Sequence, residues 1–75
     1  MILPDKHIDT ENSLIGAGAV IIRNLEQPHT ITSLWELVYD RPEIEYYWRF
    51  ILILDFLYTI GAIDMVDRMI VRKSS

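Results

Sequence analysis

The sequence predicts a mainly helical α+β domain with a winged-helix-like layout: three helices followed by a short two-stranded β-hairpin. Three observations carry that prediction. Apolar residues recur at helical spacing in three segments, separated by breaks at Glu26-Gln27-Pro28-His29 and Asp40-Arg41-Pro42-Glu43. Gly61 stands where the third helix should stop, in the place of a left-handed C-terminal cap. Beyond it the period changes to two β-prone runs, Ile63-Asp64-Met65-Val66 and Met69-Ile70-Val71-Arg72, with only Asp67 and Arg68 between them. A last helix feeding directly into such a wing is the winged-helix order.

Taken along the chain, residues 1–12 read as an extended N-terminal arm, with Pro4 preventing an early helix. Residues 13–75 form the single domain. Helix one is expected from Asn12 or Ser13, either of which can cap it, to about residue 25. Its stripe is Leu14, Ala17, Ile21 and Leu25, and Gly16 and Gly18 point to close packing of another segment against it. These glycines are no phosphate loop, because the third glycine, the preceding strand and the Lys-Ser/Thr ending are missing. Ile31 is expected as a one-residue extended bridge. Thr32 or Ser33 then caps helix two (residues 34–39), with Ser33 and Glu36 as a capping box and Leu34, Leu37 and Val38 inward. Pro42 disfavours a helical Arg41, so helix three is placed from Ile44 or Glu45 to Ile60.

Composition limits what such a domain does. The 75 residues make one domain, whose folding buries only about 60% of the surface its unfolded chain exposes. With no cysteine, neither disulfides nor thiolate metal sites supplement the core. Yet 51% of the residues are hydrophobic, and mean hydropathy is +0.18. Some of that apolar surface is expected to face a partner. The net charge of −4 and pI near 4.9 argue against a domain built to coat nucleic acid or to lie on a membrane as a basic amphipathic helix. The N-terminus lacks the charged start and apolar core of a signal peptide. The greasiest stretch, residues 46–63, carries Arg49 and Asp55, which are costly at mid-bilayer, so a cytoplasmic protein without a membrane span is expected.

Helix three is the most informative segment. Of the 15 residues 46–60, all but Arg49, Asp55 and Thr59 are apolar or aromatic. These three fall within an arc of about 120°, leaving about 240° apolar, whereas a surface helix needs an apolar stripe of only about 100°. Ile51, Leu54, Leu57 and Tyr58 share one face and are assigned to the core, and of the aromatic run Tyr47 and Phe50 or Ile51 are expected to seed it. Ile53, Phe56 and Ile60 fall on the far side. With Tyr46 and Trp48, whose residue types dominate interfaces, they are the candidate partner-binding residues. The alternative is that the arm and the hairpin fold over this excess.

Catalytic, cofactor-binding and metal-ligating residues are not found. His7 and His29 share no ligand spacing with other residues, the serines act as caps or end the chain, and Glu43 and Glu45 at i and i+2 point apart. Nor does helix three suit base reading, since its start carries Glu43 and Glu45 and lacks bidentate Arg, Asn or Gln. The basic cluster Arg68, Arg72 and Lys73 lies on the wing and tail, enough for one or two phosphates or for protecting an edge strand. Direct DNA binding is therefore not expected.

The opening Met1-Ile2-Leu3-Pro4-Asp5-Lys6-His7-Ile8, with Ser13-Leu14-Ile15-Gly16-Ala17-Gly18-Ala19, resembles the small middle components of bacterial ABC-three-component systems. The resemblance continues through Ile31-Thr32-Ser33-Leu34-Trp35 and ends in Leu54-Asp55-Phe56-Leu57-Tyr58-Thr59-Ile60-Gly61-Ala62-Ile63. It implies a non-enzymatic adaptor linking an ABC ATPase of the SMC or Rad50 kind to an effector, in defence against phages and mobile DNA. The resemblance supplies no catalytic residue. The partners it implies are the ATPase and effector subunits. A homodimeric structural protein and a small winged-helix DNA-binding regulator are the alternatives from other classes.

Overall fold

The computed structural model describes the backbone of residues 5–73 and the side chains of residues 14–73. Three helices, α1 (Asp5–Arg23), α2 (Ile31–Val38) and α3 (Tyr47–Thr59), precede strands β1 (Ile63–Val66) and β2 (Met69–Arg72). This is the expected helix–helix–helix–hairpin order.

The first helix starts at Asp5, not at Asn12 or Ser13, so residues 5–12 are helical rather than an extended arm. A proline obstructs the turn that precedes it and not the residues after it, so Pro4 is compatible with a helix opening at once. The helix also runs unbroken across the boundary expected at residues 12 and 13. Residues 1–4 of the arm, and Ser74 and Ser75, lie outside the described residues. The α1 stripe is as expected: Ala17, Ile21 and Leu25 are buried together with Val20, and Leu14 packs against them. Leu25 lies just past the helix, where Asn24 and Leu25 donate to the carbonyls of Ile21 and Ile22 and tighten the last turn. A β-carbon on Gly18 would stand 3.2 Å from Leu57 Cδ2, so this glycine lets α1 approach α3 closely. Gly16 faces open space and has no such role.

The extended bridge forms at His29 rather than Ile31. Its N–H donates to the Ile70 carbonyl at 3.1 Å and its carbonyl accepts from the Ile70 N–H at 2.7 Å, laying one residue of a third strand beside β2. Ile31 instead opens α2, because Thr30 is the N-cap: its hydroxyl accepts the Ser33 N–H at 3.0 Å. Ser33 is therefore not a cap, and the Ser33–Glu36 box does not form; the Ser33 hydroxyl lies 2.6 Å from His29 Nδ1. Leu34 and Val38 are buried, but Leu37 is 46% exposed. The helix turns toward Trp35, which packs on the core and carries Leu37 off the inward face.

The chain then reverses through a tight turn. Ile44 and Glu45 both donate to the Arg41 carbonyl, and Ile44 inserts into the core. Reversal places Glu45 at φ +68, which a right-handed helix does not tolerate, so α3 begins after it, with Tyr46 as N-cap. At the other end Gly61 has φ +79, donates to Tyr58, and is followed by Ala62 donating to Leu57 at 2.8 Å. These two bonds make the Schellman cap anticipated at that glycine, with Ala62 and Leu57 as its hydrophobic contact. The hairpin has the expected register, Val66 opposite Met69, and its two turn residues are both left-handed (Asp67 φ 51, Arg68 φ 67) as a type I′ turn requires, even without glycine. Ile63 and Ile70 point from it into the core.

The buried face of α3 matches expectation at Phe50, Leu54 and Leu57 but not at Tyr47, Ile51 and Tyr58, which are exposed. Ile53, assigned to the far side, is fully buried. Relative to expectation the inward direction is rotated by about 60° on the helical wheel.

Two predictions follow from these placements. Both Gly16 and Gly61 have open space around a β-carbon, so backbone conformation alone sets the sign of an alanine substitution. Gly16→Ala should stabilise the domain by about 0.5–1 kcal/mol and Gly61→Ala should destabilise it by about 1 kcal/mol, measured by urea unfolding. In the same assay Ile53→Ala should cost about 2–5 kcal/mol, and Tyr58→Ala under about 1 kcal/mol.

Candidate functional site

The residues available to a partner are the apolar side chains that folding leaves outside. On α3 the buried arc is only about 100° wide, and the rest of the helix is apolar beyond what the core uses. Tyr47, Trp48, Ile51, Leu52, Tyr58 and Ile60 are all at least one-third exposed. The other elements organise them into three areas.

At the start of α3, Tyr46 and Trp48 stack with ring centroids 6.1 Å apart and planes 9° from parallel, and Trp48 is 63% exposed. Beside them Trp35 gathers Tyr47 edge-on at 5.1 Å, Phe50 at 5.2 Å and Tyr39 at 6.0 Å, joining α2 to α3 through aromatic contacts. The flanking charges are local. Arg41 Nε lies 3.4 Å from Glu43 Oε1, and Arg49 Nε donates to the Glu43 carbonyl at 3.0 Å. A hydrogen bond from its own backbone N–H, reinforced by Arg41, holds the Glu43 carboxyl below the usual carboxylate range. Its small stabilising contribution is present at neutral pH and lost as pH falls through that lowered value.

The second area is a groove of about 360 Å³ between α1 and the end of α3, with Leu14, Ile15 and Ile22 on one wall and Phe56 and Ile60 on the other. A third, of about 240 Å³, lies between α3 and the hairpin. The five candidate residues thus fall in three places. Tyr46 and Trp48 form the stacked pair, Phe56 and Ile60 share the α1 groove, and Ile53 lies in the core away from any surface. Ile15, Ile51, Tyr58 and Met65 were not among the candidates, yet all are exposed and line the grooves. A signal for Ile51 and Tyr58 was present in the sequence: they adjoin the polar arc of α3, which faces away from the core.

The chemical inventory is sparse. His29 and Ser33 come together although their spacing does not suggest catalysis, and among the described residues no carboxylate hydrogen-bonds the imidazole. The contact joins the bridge residue to the first turn of α2. Among the described residues, no three metal-ligating side chains gather, and no helix is long and apolar enough to cross a membrane. Glu43 and Glu45 stand before α3, while Arg68 and Arg72 lie on the hairpin.

Comparison with known proteins adds the family. Neither the curated proteins nor the solved structures contain a match to the chain. A family model does match, over residues 3–74, and its description is ABC-three component (ABC-3C) system Middle Component 6. The match spans nearly the whole chain, including all three helices and the hairpin that build the two grooves. The chain belongs to the Middle Component 6 family of ABC-three-component systems and is a component of such a system.

Proposed function

We propose that the chain is the non-enzymatic adaptor of its system, holding an SMC- or Rad50-like ABC ATPase to an effector in a cytoplasmic complex that acts against phages and mobile DNA. The observation that carries this reading is the pair of apolar grooves on the two flanks of α3. A linker must offer surface to two neighbours at once, and a domain this small has no other interior to lend. Membership in a multi-component system supports protein partners. Interfaces of this kind draw their affinity from a few buried aromatic and aliphatic anchors, and the stacked Tyr46–Trp48 pair and Ile60 have that character.

Co-expression with the ATPase and effector of the same system tests the reading. The wild-type chain should retain both subunits, and omitting it should separate them. Ile60→Asp and Trp48→Ala, both on exposed side chains, should leave the melting temperature within a few degrees of wild type. At least one of them should weaken capture of one subunit by about thirtyfold, equivalent to about 2 kcal/mol. An ATPase–effector complex that forms equally well without the chain would overturn the adaptor role. Sub-micromolar duplex binding at about 0.15 M salt, falling steeply as salt rises, would favour the DNA-binding regulator instead.

A further inference from the structure

The groove between α3 and the hairpin has a chemistry of its own. Ile31, Ile51, Tyr58, Ile63 and Met65 line it, and Asp55 is the one charged side chain among the lining residues. Asp55 stands one helical turn from both Ile51 and Tyr58, so its carboxylate lies on the strip that borders the apolar floor. Among the described residues it has no ion-pair partner. An apolar trough edged by one free carboxylate complements an apolar segment that carries one cation.

The hairpin constrains how that segment binds. The two-residue turn makes Val66 and Met69 a hydrogen-bonded pair, so the amides of Ile63 and Met65 point away from β2. The outward Met65 N–H already donates to Asp64 Oδ1 at 2.8 Å. On the far edge, His29 occupies the main-chain groups of Ile70. Both edges of the sheet are thus partly closed to an added strand. A ligand of this groove docks by side chains, as an amphipathic helix does, and not by extending the sheet.

We infer that this groove receives an amphipathic helix from a partner subunit, with a Lys or Arg of that helix set against Asp55. The inference rests on the adaptor reading and names the chemistry of one of its two interfaces. The chain's acidic balance, −4 overall, also favours a basic partner over a second copy of itself.

The test uses the purified ATPase and effector subunits of the same system as probes, with the full chain. Asp55→Asn should weaken binding of one subunit about tenfold and flatten its salt dependence, while Asp55→Glu should retain it. Ile51→Lys should abolish the same interaction, with thermal melting confirming that the variant is folded. A photo-crosslinking residue placed at position 58 should then mark a peptide of that subunit, helical in pattern and bearing Lys or Arg. A wild-type chain that retains neither subunit defeats the adaptor reading and the inference with it. If both subunits are retained and the Asp55 variants bind like wild type, the groove assignment alone is wrong. Crosslinking to a second copy of the chain, or to a peptide without a cation, overturns it equally.

Discussion

Phe50, Ile53, Leu54 and Leu57 of α3 form the centre of the core, with α1 and β1 packed directly against the helix. Ala17 and Ile21 of α1, Leu34 and Val38 of α2, Ile44 of the intervening turn, and Ile63 and Ile70 of the hairpin complete one continuous core with them. The approach of α1 depends on Gly18, whose missing side chain leaves room for Leu57. The hairpin depends on the Schellman cap, since Gly61 turns the chain so that β1 returns over the helix it has just left. Polar interactions add little. The ion pair Arg41–Glu43 is solvent-exposed, and pairs of that kind contribute about 0–1 kcal/mol. Hydrophobic burial on one helix face therefore holds the domain together.

That arrangement uses α3 economically and leaves much of it uncovered. The elements packed against α3 close only a narrow arc of it, and the chain has no further helix or strand among its described residues to cover the rest. Neither α1 nor the hairpin seals the excess. Each instead forms the outer wall of a groove, so the second and third areas of apolar surface are shaped clefts and not flat patches. Exposed apolar surface of this extent on a small protein is a liability unless another molecule covers it. The family is a component of a multi-component system, which implies protein partners.

The charge distribution separates this domain from winged-helix proteins that read DNA. In those, the start of the third helix meets base edges, and flanking cations neutralise phosphates. Here the corresponding turn holds Glu43 and Glu45, and the neighbouring side chains are Tyr46, Tyr47 and Trp48. Arg41 and Arg49 are both tied to Glu43, the first through its carboxylate and the second through its carbonyl. The element order is winged-helix-like, but the start of its third helix is acidic and aromatic.

Local signals in the sequence determined the element order, the hairpin with its two-residue turn, the cap at Gly61 and the apolar stripe of α1. Each depends on residues within a few positions of one another, and backbone sterics or hydrogen bonding acts at that range. The start of α1 was misjudged because Pro4 restrains the residue before it more than those after it. The bridge and cap near His29 and Thr30 moved because Ile70, some forty residues away, supplies the partner for His29. The inward side of α3 was only faintly marked in the sequence, and the tertiary structure decided it. An almost wholly apolar helix offers no contrast between faces except its narrow polar arc, and the direction opposite that arc is where Phe50, Ile53, Leu54 and Leu57 lie. Ile53 therefore became core and Ile51 and Tyr58 became surface, because α1, α2 and the hairpin converge on one side and an apolar side chain follows whichever neighbours exclude its water.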